Sequence, residues 1–170
     1  MKKNLFAILM LFLLQSCWYI GNDDNFERMD AYKPITQPRA EFEKTMELTA
    51  ERQVVNSGKI YIKDQLIYLN EKGEGFHIID NSNPEYPKPL AFLRIPLSTD
   101  LAIRNNTIYV HHAVDLVAFN YSVATNSLNI LHREKDVFPA LRSPEGWEAD
   151  FYQVPQDHIV IGYEEVNKKL

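Results

Sequence analysis

The sequence predicts an all-β fold made of tandem four-stranded antiparallel units, with a short N-terminal helix or an extended lead-in before them. Short apolar runs rich in β-branched and aromatic residues alternate with Gly, Pro and Asx turns between residues 58 and 96. The same pattern recurs about 41 residues later. Aromatic residues make up 12% of the chain, with nine tyrosines, which suits strands better than helices. These observations predict about two complete units and a partial third.

The first unit is expected at about 58–98. Its four apolar runs are Ile60–Ile62, Leu66–Leu69, Phe76–Ile79 and Leu90–Ile95. A polar turn, a pair of glycines and a proline-rich connection separate them. Four strands in about 40 residues is the size of one blade of a β-propeller, so the unit is predicted to be propeller-like.

The second unit is expected at about 99–138. With a shift of 41 residues, Ile67–Leu69 falls on Ile108–Val110 and the turn Lys63-Asp64 falls on Arg104-Asn105. Omitting one residue from the next loop sets Phe76–Asp80 against Leu116–Asn120. Asp157–Ile161 is a weaker echo inside the partial unit, 145–170. Because turn residues match as well as apolar ones, a tandem repeat is favoured over a β-sandwich with similar strands.

The residues Gly58–Tyr61, Gly75–Pro84 and Asp115–Phe119 resemble the LVIVD-repeat proteins, in particular the lipoproteins of this type from Bacteroidetes. The resemblance covers about residues 54–139, and its specific part is the first unit, with the pattern G-x-x-I-I-D-N-S-N-P. In the second unit Asn120-Tyr-Ser122 replaces Asp-x-Ser, and no Asn-Pro follows. The resemblance implies a β-propeller-like fold and an envelope location, and it implies no particular activity.

The first 17 residues have the organisation of a lipoprotein signal peptide. Two lysines precede ten apolar residues, Leu5 to Leu14, and the segment ends in Gln-Ser-Cys17. Ten residues rise only about 15 Å as a helix, half the thickness of a bilayer core. The tail resembles the bacterial lipobox, which implies cleavage after residue 16 and acyl chains on Cys17. An ordinary signal peptide with a nearby cysteine is the alternative. Cys17 is the one cysteine of the chain, so no disulfide is expected.

Residues 17–38 are predicted to be a flexible tether between the membrane and a single domain, 39–170. Acidic residues and prolines at 34 and 38 disfavour a long helix there. The acidic cluster resembles the export signals of Bacteroidetes lipoproteins, which implies the outer membrane, on its periplasmic or surface face. A solvated linker is the simpler alternative. The net charge of −5 argues against a nucleic-acid partner.

The segment 39–55 is predicted to begin with a short helix at about Ala40–Thr45. Phe42 and Met46 share one face at helical spacing, and a strand is expected to enter the first unit near Val54.

The sequence Asp80-Asn81-Ser82-Asn83-Pro84 brings a carboxylate, amides and a hydroxyl together, but a structural turn is the favoured interpretation. Asx and Ser side chains bond to nearby backbone N–H groups and fix turns.

The remaining candidates for site chemistry are histidines. His111 could meet Asp115 across a turn, with His77 nearby in space, but neither a known metal motif nor a nucleophile elbow is present. We therefore expect no metal site, no cofactor and no catalytic residues.

The loop after the second unit carries three aromatic residues, Phe138, Trp147 and Tyr152, that could contact a sugar or a peptide. Their packing against the second unit is the alternative. The sequence thus predicts an exported, lipid-anchored binding or scaffolding module with a protein or glycan partner and an undetermined oligomeric state. An enzyme or enzyme subunit with a site on the propeller loops is the alternative function.

Overall fold

The computed structural model describes residues 31–166, and within this range the protein is mostly β. Eleven strands form three antiparallel sheets, of five, four and two strands. One α-helical turn, α1, spans Arg39–Phe42, and 3₁₀ turns span Glu43–Thr45 and Ala149–Tyr152. The prediction of an all-β chain with a short N-terminal helix is confirmed at this level. The predicted signal peptide, Cys17 and the tether up to residue 30 lie outside the described residues.

The strands have the following bounds: β1 Tyr32–Pro38, β2 Glu47–Thr49, β3 Ser57–Lys63, β4 Leu66–Glu71, β5 Gly75–Asp80, β6 Lys88–Arg94, β7 Leu101–Arg104, β8 Thr107–His112, β9 Asp115–Ser122, β10 Ser127–Glu134 and β11 His158–Glu165.

The two larger sheets are meanders of consecutive strands. The five-stranded sheet runs β2-β6-β5-β4-β3, so the four strands expected in the first unit are all present and β2 is added at one edge. The four-stranded sheet runs β10-β9-β8-β7. Both sheets begin with a hairpin closed by a two-residue loop whose first residue has positive φ: Asp64 at 53° and Asn105 at 55°. Asp and Asn adopt this conformation more readily than other non-glycine residues.

The main hydrophobic core lies between these two sheets. The five-stranded sheet contributes Tyr68, Phe76 and Ile78, and the four-stranded sheet contributes Val117 and Phe119, among others. Along β9 every second residue is buried from Asp115 to Tyr121. This alternation is the signature of a strand with one face in a core.

The two sheets use opposite faces to make this contact. Tyr68 pairs with Ile78, and the residues at the aligned positions, Tyr109 and Ala118, also pair with each other. Tyr68 is buried in the core, whereas Tyr109 lies on the other side of its sheet, because its neighbour Ile108 occupies the core. The strand pairing in the two sheets therefore matches the alignment of the two sequence units. The side chains at aligned positions do not match in direction: in one sheet they point into the shared core and in the other they point away from it.

The third sheet pairs β1 with β11 and differs from the expected organisation. Residues 32–38, assigned to the tether from the sequence, form β1, and the strand expected to start a third unit is β11, its partner. In this two-stranded sheet β1 is an edge strand, paired with β11 along one side only. Edge strands tolerate proline, which has no backbone N–H to donate, so Pro34 and Pro38 are compatible with β1.

The lead-in also differs in detail from the expectation. The helix forms where it was predicted, but no strand enters near Val54. Instead β2 pairs with β6 at Glu47–Thr49, and residues 50–56 are irregular. Among residues 31–166, no helix is long and apolar enough to cross a membrane.

Candidate functional site

A cleft of about 470 Å³ opens between the two larger sheets. It lies at the end of the molecule where the β3–β4 and β7–β8 loops meet the turn after β5. Its apolar lining is Leu66, Ile103, Ile108 and Val123, and its polar lining is Lys63, Asp64, Gln65, Tyr68, Asp80, Ser82, Asn106 and Tyr121. The volume is within the range of small-molecule sites, and the lining is mixed, with eight polar and four apolar residues.

Tyr68 is the most distinctive residue of this cleft. It is only 3% exposed, and burial, assisted by Tyr121 and Asp64, raises the pKa of its phenol to about 12. The hydroxyl is therefore protonated at physiological pH and can donate a hydrogen bond. None of the hydrogen bonds found among residues 31–166 involves it, whereas the neighbouring Tyr121 hydroxyl donates to Asn126 Oδ1 at 2.8 Å. Tyr68 lines the cleft and its hydroxyl keeps contact with solvent there, so a ligand that accepts this hydrogen bond would take the place of water.

The turn Asp80–Pro84 forms one wall of the cleft, and its polar side chains bond to backbone. Asp80 Oδ1 accepts a hydrogen bond from Ser82 N at 2.8 Å, and Asn83 Oδ1 accepts one from Glu85 N at 3.1 Å. The Ser82 contacts also hold the pKa of Asp80 below its usual value. Asn81 N donates to Gln65 O at 2.7 Å, which joins this turn to the β3–β4 loop. These bonds give Asp80 a part in shaping the wall.

At the opposite end of the four-stranded sheet, Asp115 is the centre of a buried polar cluster. The residue is 1% exposed, and its two oxygens accept hydrogen bonds from Arg39 Nη1 at 2.8 Å and Arg133 Nη1 at 2.9 Å. Burial alone would raise the pKa of Asp115, but the arginines and the N–H of Asp136 outweigh it and lower the pKa. The cluster fastens α1 to the sheet.

His112 belongs to the same cluster and is kept neutral. Burial, with Arg133 nearby, lowers the pKa of the imidazole to about 3. Arg133 Nη2 donates to Nδ1 at 3.2 Å, so the proton is on Nε2, which lies 3.1 Å from Thr45 Oγ1. The ring also stacks on Phe42, with the ring centres 4.2 Å apart. Every polar atom of the imidazole is paired, which indicates a structural role.

The three residues considered from the sequence for a metal site are not brought together. Asp115 faces His112, whereas His111 points to the other side of β8 and contacts Leu97 O at 3.0 Å. His77 pairs with the buried Glu71 at 2.9 Å. Neighbouring residues of a strand point to opposite faces, so only one of His111 and His112 could lie beside Asp115. Among residues 31–166, no group of three His, Cys, Asp or Glu side chains could hold a metal ion.

The three aromatic residues predicted as partner contacts fall into two places. Trp147 is 49% exposed and stacks on Phe151 at 4.7 Å, and Tyr152 packs against Phe151 and Tyr163. Through Tyr163 this group packs against β11. Phe138 is 38% exposed and meets the edge of His111 at 5.7 Å, beside a second cavity of about 550 Å³. The three residues therefore do not form a single patch.

A further surface, missed from the sequence, is the face of the five-stranded sheet that points away from the core. We call it the open isoleucine face: Ile60, Ile62, Ile67, Leu69 and Ile79. Ile60 is 62% exposed and Ile62 is 68% exposed, and the register places the other three beside them. Apolar residues on both sides of β3 and β4 were the available signal, because a strand with one wet face alternates with polar residues.

The next part of this same face is covered by residues 50–56. Arg52 lies over the ring of Phe92 at 3.8 Å, and the buried Glu71 accepts hydrogen bonds from the backbone N–H groups of Val55, at 3.0 Å, and Asn56. Within the part of the chain that the structure describes, the lead-in thus covers one part of the face and leaves the isoleucines open.

No protein-family model matches the chain, and comparisons with curated proteins and with solved structures find no match.

Proposed function

We propose that the protein is a binding module of the cell envelope, held to the membrane by acyl chains on Cys17, with a propeller-like domain that takes a small ligand in the cleft between its two larger sheets. The signal-peptide pattern and the lone cysteine support the anchor. Several acyl chains, at about 0.8 kcal/mol per buried CH₂, would hold the protein stably.

The blade-like character of the two larger sheets is supported by their connectivity. Each contains a meander of four consecutive strands, and the paired positions Tyr68–Ile78 and Tyr109–Ala118 correspond. In a propeller, successive blades stack so that one side of each blade contacts the opposite side of the next. The opposite orientation of Tyr68 and Tyr109 relative to the core agrees with that arrangement.

The unpartnered Tyr68 hydroxyl in the cleft is the observation that carries the ligand proposal. The charges around it are already engaged: Lys63 pairs with Asp64, and Asp80 accepts from Ser82. The remaining polar groups of the lining, Gln65 and Asn106 among them, are neutral. A neutral ligand that carries hydroxyl groups and an apolar ring face fits this lining, so we propose a saccharide unit of an envelope glycan.

The test is a titration of the protein with N-acetylglucosamine and its short oligomers, followed by isothermal calorimetry and by amide chemical shifts. Tyr68→Phe removes the hydroxyl and keeps the packed ring. It should weaken binding by about tenfold or more, the loss expected for one buried hydrogen bond. Tyr109→Phe, on the other face of the second sheet, is the matched control and should bind like the unmodified chain. Absence of binding, or equal affinities of the two variants, would overturn the saccharide proposal.

A further inference from the structure

We infer that the open isoleucine face is a docking surface for a second copy of this chain, which approaches with the outward face of its four-stranded sheet. The contact is head-to-tail, because the two surfaces that meet are different. This inference does not depend on the saccharide site.

The open isoleucine face consists of aliphatic side chains, the composition expected of a buried sheet face. Ile60 and Ile62 stand on an edge strand and are more than 60% exposed, and the half-buried Ile67, Leu69 and Ile79 continue the patch across β4 and β5. The row Ile62–Ile67–Ile79 is apolar throughout, and the row Ile60–Leu69 ends at His77. Contiguous apolar patches of this kind mark interaction sites in soluble domains.

The interface inside the chain shows what such a face binds. In the alignment, Ile67 corresponds to Ile108 and Ile79 corresponds to Phe119. Ile108 and Phe119 are 3% and 0% exposed, because they contact the five-stranded sheet. The open isoleucine face is thus the counterpart of a face that already receives another sheet within the chain.

The outward face of the four-stranded sheet corresponds, in the alignment of the two units, to the core-facing side of the five-stranded sheet. We call it the open tyrosine face: Tyr109, Leu116, Ala118 and Asn120. In the alignment these residues correspond to Tyr68, Phe76, Ile78 and Asp80 of the five-stranded sheet. The first three of those are buried against the four-stranded sheet. Tyr109, Leu116 and Ala118 are half-buried and lie in adjacent rows of β8 and β9.

Within residues 31–166, the protein therefore carries one open copy of each surface that meets in its own core. A second copy of the chain supplies the counterpart of one face, and a further copy supplies the counterpart of the other, with the sheet-on-sheet packing that the internal interface already uses. Such a heterologous contact repeats from copy to copy until the rotation closes a ring. A symmetric contact of two isoleucine faces is the competing arrangement, and the experiment below separates the two.

The experiment uses the full chain with Cys17→Ser, which removes the lipid-attachment thiol, and analytical ultracentrifugation. The parent should sediment as a species larger than the 19.8 kDa monomer, with a concentration-dependent size. Ile60→Lys with Ile62→Lys blocks the open isoleucine face. Ala118→Lys blocks the open tyrosine face, and Leu116→Arg is a second block of that face if Ala118→Lys does not fold. Each blocked variant, checked for folding by circular dichroism, should be monomeric alone.

Mixing the two blocked variants in equal amounts is the decisive step. Each retains one intact face, so the mixture should form a discrete complex of two chains. Val55→Lys replaces a residue that is 84% exposed outside both faces, and this control should assemble like the parent. Tyr68→Phe should also assemble like the parent, which separates this inference from the saccharide site. A parent that stays monomeric throughout its soluble range would overturn the inference, and so would a mixture that forms no complex.

Discussion

At the scale of single residues, Asp115 connects two parts of the chain that are distant in sequence. It lies at the start of β9 and receives one arginine from the lead-in, Arg39, and one from β10, Arg133. Both arginine side chains are mostly buried, at 15% and 13% exposure. Removing the carboxylate would leave two guanidinium groups without their main partner in a poorly solvated place.

We predict that Asp115→Ala lowers the free energy of unfolding by about 3–5 kcal/mol, the usual cost of breaking a buried ion pair. Asp136→Ala is the matched control, because Asp136 also pairs with Arg39 but its side chain is 69% exposed. The control should lose no more than about 1 kcal/mol, as exposed pairs do. Urea denaturation measures both, and equal losses would contradict the role assigned to Asp115.

His112 gives the protein a predicted pH dependence. Its pKa is near 3 in the folded protein and 6.5 ordinarily, so between these values the unfolded chain binds the proton and the folded chain does not. Stability should therefore fall as the pH drops below 6.5, by up to about 1.4 kcal/mol per pH unit. Between pH 6.5 and 4.5 the lowered pKa values of Glu71 and Asp115 add little, because both carboxyls ordinarily titrate at or below 4.5.

Denaturation of wild type and His112→Gln from pH 7 to pH 4.5 tests this dependence. The variant should lack most of the slope, while the exposed-residue control His132→Gln should keep it. An unchanged slope in His112→Gln would show that another group causes it.

At the scale of elements, the two sheet-opening hairpins share their loop geometry. Asp64 and Asn105 both have positive φ, which costs a β-branched residue about 1–2 kcal/mol. We predict that Asp64→Val and Asn105→Val each destabilise the protein by that amount, whereas Asp64→Gly and Asn105→Gly are nearly neutral. Thermal denaturation gives the comparison. Gln65→Val, at the following loop position, is the control, and a loss there equal to that of Asp64→Val would contradict a specific effect of φ.

The strands that the sequence predicted correctly are those whose ends are set locally. In the first meander, Asp64 and Gly73 mark turns, and runs rich in apolar residues fill the intervals, so β3 to β6 could be predicted from neighbouring residues alone. The strand β1 could not, because the residues of its pairing partner β11 lie 120 or more positions away and its two prolines suggested a tether.

The candidate site was harder to predict from the sequence than the strands were. Tyr68 and Ile67 are adjacent and both apolar in character, and only the packing of the second sheet decides which one faces the cleft. The same ambiguity hid His112, since the alternation of β8 is evident while the choice of buried face is a tertiary property. The turn Asp80–Pro84 was visible from its composition, but its position in a cleft wall depends on the β3–β4 loop.

At the scale of the whole molecule, the proposed anchor makes a direct prediction. Metabolic labelling with palmitate should mark the wild-type protein and leave Cys17→Ser unlabelled, because Cys17 is the one cysteine of the chain. The labelled protein should stay with the membrane fraction and the variant should not. Label that persists in Cys17→Ser would refute lipidation at this residue.

The pairing of β1 with β11 brings the two ends of the described domain side by side. Val166 N donates a hydrogen bond to Ala31 O at 2.8 Å, and Tyr32 pairs with Glu165. The order of the strands along the chain could therefore be changed without changing which strands pair in the fold. A circular permutant that joins residues 31 and 166 through a few glycines and opens at the exposed Asp64-Gln65 loop would retain every strand pair.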